Sequence, residues 1–494
     1  MTAEKILLIY TTNYTQWPHL PNSVLALAGP LRNSGFDVEI LDTVLEDYKS
    51  RSYDSYFLVG VSVLSDTSIA SGLAISAFIK RYSPSVKIAW GGSHVTALPD
   101  QTIRSTLVDF AIRGHGEETM VELALALSND QPLGEIKGLS YKEEGRIVHN
   151  AEREAVDMNG GGLYPYHLLD IKQYPSVHEK FSYNSSRGCP YQCTFCSYEK
   201  KWVARSSEKV LDDLEEIVSV YHPEVVRMSE AEFFVSQKRV EEICKGLIAR
   251  KIKLKWEANC RVNYFAQYHS EFIELLVESG CYNLGFGAES GSNRILREIN
   301  KKITREQILE VAERTRHFGI DEVRFSFMCG FPGENEEDLA HTLSLIQEIW
   351  KINPAIYING FFIYMPYPGS ALYSKAEKSY GFSPPKTLEE WGTLHGLIEH
   401  SNRMTPWITK SQRKKLETLS SMVRFHYFSQ YFQRMSEKQR LSWFYGSRLL
   451  ISLFNLMNWF YQVSERIRWK YRWFEFAFEW RAWAYLRDRF LGQH

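Results

Sequence analysis

Three of the chain's seven cysteines fall within eight residues, in the stretch "SSRGCPYQCTFCSYEK", with the spacing Cys189-x3-Cys193-x2-Cys196. An odd number of cysteines, three of them clustered, argues against a disulfide framework and for thiols kept reduced. Structural zinc wants four tetrahedral ligands, commonly in two pairs. The residues that follow, Ser197, Tyr198 and Glu199, offer no obvious fourth. A remote fourth ligand could come from Cys244, Cys260, Cys281 or Cys329, but each sits in an apolar helix or strand pattern, where a buried free cysteine is ordinary. A four-iron cluster held by three thiolates instead leaves one iron with an open coordination site, useful if a substrate must be ligated to it directly.

The elements that must position these thiols fall into zones. Residues 1–135 alternate β-rich apolar stretches ("KILLIYT", "DVEILD", "YFLVGVSV", "VKIAWGG", "DFAIRG") with helical patterns such as "NSVLALAGPLRNSG" and "SIASGLAISAFIKRY". This predicts a doubly wound, five-stranded parallel sheet that binds its ligand at the strand carboxyl ends. Those ends carry Ser62, Leu64 and Ser65 in "SVLSDTS", Gly91, Gly92 and His94 in "GGSHVTALP", and Gly114, His115 and Gly116 in "RGHGEE". Glycines there either let a ligand approach the backbone or simply make tight turns. Residues 136–180 read as a connector with a short hairpin, "GLSYKEEGRIVHN". In residues 181–380 six strand–helix units predict a partial (β/α)6 barrel, again with its chemistry at the strand carboxyl ends, and the cysteines follow its first strand. Residues 381–494 read as a helical extension. Positions 441–494 hold six of the thirteen tryptophans and twice as many Lys and Arg as Asp and Glu. Either these rings pack as a cap with arginines stacked on them, or a surface helix lies in a lipid interface or grips a lipid-like substrate.

Bulk composition narrows the classes further. A chain of 494 residues, with 44% hydrophobic and 24% charged residues, is of ordinary globular composition and long enough for several domains. A formal net charge of −1 gives no electrostatic reason to expect a nucleic-acid partner. The opening "MTAEKILLIY" is too short in apolar residues for a signal peptide and reads as a first strand. The best candidate for a membrane span, between Arg448 and Glu465, contains Asn455, Asn458 and Gln462. A cytoplasmic location is expected.

The C-x3-C-x2-C spacing, with Phe195 just before the last cysteine and a barrel strand before the first, resembles the radical S-adenosylmethionine superfamily. The resemblance implies a 4Fe-4S cluster on Cys189, Cys193 and Cys196, with the amino and carboxylate groups of S-adenosylmethionine on the open iron. One electron then cleaves the sulfonium to methionine and a 5′-deoxyadenosyl radical. "GFGAESGSNRILREINKKIT" is similar to the family's fourth-strand segment, making Glu289 and Ser290 candidates to bond the cofactor's ribose or methionine moiety. "MCGFPGENEEDL" is similar to the fifth-strand segment whose backbone, here around Gly330 and Pro332, contacts adenine. Where many relatives place Gly-Gly-Glu, this chain has Met228, Ser229 and Glu230, which leaves Ser229 and Glu230 as departures from the pattern. Arg261 could pair with the cofactor's carboxylate through its bidentate fork, or form an ordinary ion pair.

A doubly wound domain ahead of such a barrel resembles the cobalamin-binding (B12-dependent) subfamily, with "GGSHVTALP" and "RGHGEE" lining the corrinoid. The Asp-x-His-x-x-Gly motif that supplies a cobalt-ligating histidine elsewhere is missing: His19 lacks its Asp and Gly, and His94 and His115 come from later loops. The subfamily likeness implies that no protein histidine ligates the cobalt and that a residue of the "SVLSDTS" loop covers its lower face. The activity implied is C-methylation of an unactivated carbon by a class B type radical methyltransferase. Alternatives are oxidative cyclisation or ring rearrangement, as in the anaerobic cyclase of magnesium-protoporphyrin monomethyl ester, and a non-catalytic corrinoid carrier. The implied partners are a small-molecule substrate, large and apolar if the aromatic extension holds it, and an electron donor such as flavodoxin or ferredoxin. Peripheral membrane contact through the C-terminal helices is the remaining expectation.

Overall fold

The computed structural model describes residues 4–11, 18–65, 68–160, 162–393, 401–437, 440–441, 447–471 and 474. The loop at 12–17, Asp66 and Thr67 of "SVLSDTS", and most of the aromatic run after 471 therefore lie outside the described residues. The chain divides into two compact units: Met1–Trp256 with Glu278–Gly280 and Pro366–Met404, and Glu257–Val277 with Cys281–Met365 and Thr405–His494.

The first unit opens with strands β1 (Lys5–Tyr10), β2 (Asp37–Asp42), β3 (Tyr56–Ser62), β4 (Lys87–Gly91) and β5 (Phe110–Ile112), all parallel. Ile6, Leu7, Leu8 and Ile9 of β1 are all fully buried, the mark of a strand covered on both faces. Helices Asn22–Asn33 and Glu117–Ser128 pack Val24, Leu31, Met120 and Leu123 against Ile6, Leu8 and Leu58 of the sheet. The order β2-β1-β3-β4-β5 reverses direction between β1 and β3, which opens a crevice at the carboxyl ends of those strands.

The hairpin placed in a connector by its sequence joins this sheet instead. β6 (Leu139–Glu143) and β7 (Arg146–His149) continue it antiparallel, with Ala111 opposite Ser140 and Ile112 opposite Leu139. Left bare, β5 would be an unpaired edge, and the hairpin satisfies its backbone.

Still in the first unit, β8 (Lys180–Tyr183) and β11 (Val225–Met228) pair in parallel, while β9 (Ser186–Arg187) and β10 (Val203–Ala204) form a two-stranded antiparallel clip. Helix Ser207–Tyr221 separates β10 from β11. Ser206 caps its N-terminus, Val210, Leu211, Leu214 and Ile217 form its buried stripe, and His222 ends it in the left-handed region. The division between units falls within β12 (Lys255–Asn259). In the second unit β13 (Cys281–Glu289), β14 (Glu322–Cys329) and β15 (Tyr357–Ile363) pair in parallel, in the order β15-β14-β13. Helices Arg305–His317 and Glu336–Ile352 both start in capping boxes, Thr304 with Gln307 and Asn335 with Asp338.

The clip β9–β10 sets up the turn that launches the cysteines. Gly188 has φ +75°, and a Cβ there would stand 2.0 Å from the Lys201 carbonyl oxygen. Only glycine fits both the dihedral and the space. Gly188→Ala is therefore expected to destabilise the first unit by roughly 1–3 kcal/mol. Thermal unfolding and iron content after anaerobic reconstitution check this: a lower midpoint and reduced iron are the expected results.

Candidate functional site

The cysteine loop is tied down by its own backbone. Cys189 donates its amide to the Glu199 carbonyl at 2.8 Å, and Cys196 donates to Cys193 at 3.2 Å. The Tyr198 amide donates to the Cys196 sulfur at 3.4 Å, and Lys200 Nζ donates to the Cys196 carbonyl at 3.2 Å. None of the seven cysteines is in a disulfide; Cys193 is buried, while Cys189 and Cys196 are partly exposed. Cys244, Cys260, Cys281 and Cys329 are all buried, as their apolar surroundings in the sequence predict. Burial pushes the Cys244 thiol up to about 12 and raises Cys329 well above its ordinary value, which keeps both protonated.

The loop borders a cavity of about 730 Å³ that lies wholly in the first unit. One wall is the carboxyl edge of the parallel sheet: Ser62, Leu64, Gly91, Gly92, Gly114, His115 and Gly116. The other wall comes from β8, β9 and β11 and their loops, with Ser182, Asn184, Arg187, Tyr198 and Ser229. Tyr198 joins the cavity to the thiols. Burial raises its phenol above the ordinary value, and the charges of Glu230, Cys196 and Cys189 add to the rise. Gly92, with φ +117°, lets the β4 turn pass close under β3: a Cβ there would meet the Val63 carbonyl oxygen at 2.2 Å.

Two polar links pin the cysteine loop to the sheet. His115 Nδ1 accepts the Val156 amide at 3.1 Å, so its proton sits on Nε2, which donates to Glu199 at 2.7 Å. That bond from His115 holds the Glu199 carboxyl below its ordinary range. Arg187 pairs with Glu117 at 2.5 Å and donates to the Tyr164 hydroxyl at 3.1 Å. Burial opposes the Arg187 charge, yet Tyr164 and Glu117 together hold the guanidinium above its ordinary value. Sequence reasoning passed over Arg187, Glu117, Tyr164 and Tyr198. Only Arg187 and Tyr198 carried a positional signal, lying within two residues of the first and last cysteines.

Three expected cavity residues turn away from it. His94 is fully buried, its Nδ1 shares a hydrogen bond with Ser65 at 3.0 Å, and its ring meets Trp391 edge-on at 5.3 Å. Burial lowers its pKa to about 4, so it stays neutral. Ser65 is taken up by the same bond. Glu230 is fully buried and accepts from Ser185 at 2.5 Å and from Ser186 at 3.4 Å, bracing the bend between β8 and β9. Burial raises its pKa. Both hydroxyls bond Oε1 of this fully buried carboxyl, whereas its neighbour Ser229 lines the cavity.

In the second unit the expected residues are engaged with protein. Glu289, at φ +60°, pairs with Lys301 at 2.6 Å where β13 and β14 shift register, a strained conformation for a residue with a side chain. Arg261 donates to Asn263 at 3.0 Å and to the Lys301 carbonyl. Arg261, read as a partner of the cofactor's carboxylate or as an ordinary ion pair, is here buried and braces these oxygens. Ser290 is fully buried, sharing a hydrogen bond with Thr342 at 3.2 Å and accepting from the Ser292 amide at 3.1 Å, so its hydroxyl is not open to a cofactor. Gly330, at φ +74°, donates its amide to Glu334 and accepts from Trp407 Nε1 at 2.8 Å. Both of its polar groups are thus occupied, and Pro332 beside it is buried.

Glu334 also accepts the Phe331 amide at 3.2 Å, and so shapes the whole turn after β14. Burial pushes its carboxyl up to about 7, against the opposing effect of those two amide bonds. A folded value raised above the ordinary 4.5 favours the folded state at low pH, and that benefit is lost as pH rises through about 7. Chemical denaturation at about pH 5 and about pH 7.5 should show the native protein losing more stability across that window than Glu334→Gln, which keeps an acceptor for both amides. Parallel losses in the two proteins would contradict this.

The comparisons with known proteins agree with this geometry. The radical SAM superfamily profile matches residues 183–346 and the B12 binding domain profile residues 13–124. The uncharacterized methyltransferase PH0819 of Pyrococcus horikoshii is 30% identical over 369 residues, covering 72% of this chain and 78% of its own. The anaerobic magnesium-protoporphyrin IX monomethyl ester cyclase of Cereibacter sphaeroides is 24% identical over 426 residues, 78% of this chain and 67% of its own. Among solved structures, the radical S-adenosylmethionine methyltransferase TsrM from Kitasatospora setae aligns with TM-score 0.65 at 21% identity, over 78% of each chain. The cobalamin-dependent S-adenosylmethionine radical enzyme OxsB aligns with TM-score 0.68 at 19% identity, over 94% of this chain and 80% of its own. At such identities the structural likeness is one of fold, whereas the likeness to PH0819 extends along most of both sequences. With both profiles matched and the likeness to PH0819 spanning most of both sequences, the chain belongs to the cobalamin-binding radical S-adenosylmethionine enzymes.

Proposed function

We propose that the chain is a radical methyltransferase acting on an unactivated carbon of a small molecule, with the reaction housed in the 730 Å³ cavity. The observation that carries this reading is the double lining of that cavity, the glycine-rich sheet edge on one side and, on the other, Arg187 and Tyr198, which flank the three cysteines in the chain. When bound, the iron–sulfur cluster supplies an electron to S-adenosylmethionine and cobalamin supplies a methyl group.

The residues present fit both groups. Cys189, Cys193 and Cys196 lie on one loop, outside any disulfide, whose backbone is closed by the Cys189–Glu199 and Cys196–Cys193 amide bonds, and three thiolates leave one iron for the cofactor. Gly91, Gly92, Gly114 and Gly116 give a flat ligand close access to the backbone. Leu64 is 53% exposed and lines the cavity, so it presents a methyl-bearing side chain and no ligand atom. His115 offers no lone pair there, because Nδ1 accepts from Val156 and Nε2 carries its proton to Glu199. His94 is sequestered behind Ser65. His19, exposed on the cavity wall, is the remaining imidazole of the three. Enclosing walls from two sides serve to position a substrate carbon and exclude water from a reactive radical.

An external one-electron donor such as a flavodoxin or ferredoxin completes the reaction. The relative named as a cyclase supports a second reading, oxidative cyclisation, because the same cavity and loop would serve it.

Anaerobic reconstitution with iron, sulfide, cobalamin and S-adenosylmethionine, supplied with a one-electron reductant and a small-molecule extract as the source of substrate, separates these readings. Methylation predicts that 5′-deoxyadenosine and S-adenosylhomocysteine accumulate together with a product heavier by one methyl; deoxyadenosine alone would contradict it. Cys189→Ala should abolish deoxyadenosine formation. Protein loaded with cob(II)alamin should give an electron paramagnetic resonance spectrum that His19→Ala leaves unchanged; nitrogen splitting lost in His19→Ala would overturn the reading that no protein histidine holds the cobalt.

A further inference from the structure

Helix Arg448–Tyr471, in the second unit, is fixed on one face and, among the described residues, bare on the other. Its fixed face meets helix Lys410–Arg434. There Ser429 donates to Asn458 at 2.5 Å, the Tyr461 hydroxyl donates to the Met422 carbonyl at 2.5 Å, and His426 pairs with Glu465 at 2.7 Å. Phe432 and Phe454 pack with their ring centres 4.4 Å apart. These contacts set the rotation of the helix, so the other face cannot turn inward.

That other face carries Leu449, Leu453, Leu456, Phe460, Val463 and Ile467, each between 40 and 70% exposed. Their spacing of four, three, four, three and four makes one unbroken stripe along a helix of 24 residues. Trp459 lies beside the stripe and Tyr471 at its end, 57% and 67% exposed. Continuous apolar surface on this scale marks an interaction face.

The charges decide what covers it. The exposed ionisable side chains of the helix are Arg448, Arg466 and Lys470, all cationic. The helix's single acid, Glu465, is occupied by His426, and Arg448 has only the distant Glu437, 3.7 Å away on a neighbouring segment. A second copy pairing along the stripe would need opposite charges at the flanking positions. Those positions, 450, 457 and 464 on one side and 452, 459 and 466 on the other, hold one cation and no acid. An apolar stripe bordered by cations, with exposed Trp and Tyr rings, instead matches a headgroup–acyl boundary. Among the described residues no helix is long and apolar enough to cross a membrane.

We propose that this stripe docks the protein on an anionic lipid surface, with the helix lying in the interface. The proposal is independent of the reaction assigned to the cavity. The test is flotation of the reconstituted full-length protein with phosphatidylcholine vesicles, with and without phosphatidylglycerol. Native protein should float with the phosphatidylglycerol vesicles, and its partitioning should fall about tenfold or more without that lipid. The doubly substituted Leu456→Glu, Phe460→Glu protein should stay at the bottom with an unchanged thermal midpoint. Arg466→Glu with Lys470→Glu, which spares the apolar stripe, should lose the preference for phosphatidylglycerol. Native protein that never floats, or variants that float as it does, would overturn the proposal. So would a native dimer that Leu456→Glu with Phe460→Glu converts to monomer without any vesicle binding, which would assign the stripe to a second copy of the chain.

Discussion

Glu199 is held twice: its backbone carbonyl receives the Cys189 amide, and its carboxylate receives the His115 Nε2 proton. The first bond closes the cysteine loop on itself. The second ties that loop to the carboxyl edge of the parallel sheet, where the glycine turns lie. Everything proposed for the cavity depends on this pair, because a cluster and a corrin must address one substrate from fixed positions. The Gly188 turn supplies the start of the loop and the Arg187–Glu117 pair supplies a second tie a few residues earlier.

The glycines at the sheet edge work in the opposite sense, by leaving space. Gly92 brings the β4 turn under Val63, and Gly114 and Gly116 keep the end of β5 bare of side chains. Into that space the chain projects an apolar Leu64 and the hydrogen-bonded His115. The two imidazoles of the later loops are thus spent on protein contacts, His94 with Ser65 and His115 with Val156 and Glu199. The absence of a ligating motif in the sequence has a structural counterpart in these bonds.

Much of this was legible in the residues alone. The five parallel strands, the strand–helix alternation of the barrel and the three-cysteine loop all rest on local pattern, which a single sequence displays. The hairpin's place in the sheet was not legible, because an antiparallel edge partner is chosen by what β5 leaves unpaired, not by the hairpin's own composition. Side-chain direction was also hidden. Ser229 and Glu230 are neighbours, yet one faces the cavity and the other is buried against Ser185, a distinction made by the end of β11. His94 and Ser290 read as polar loop residues near a ligand, and both proved to be inward-facing partners within their own turns. The stripe on helix Arg448–Tyr471 was hidden for a related reason: composition announced the aromatic residues, but only the buried contacts of Asn458 and Tyr461 fix which face remains outside.

The central claim is that one cavity brings the cluster and the corrin within reach of each other. The most direct measurement is electron paramagnetic resonance of protein carrying both the reduced cluster and cob(II)alamin, compared with samples carrying each alone. Close placement predicts signals broadened and relaxing faster by mutual magnetic interaction. A doubly loaded sample whose spectrum is the plain sum of the two single ones would contradict the account.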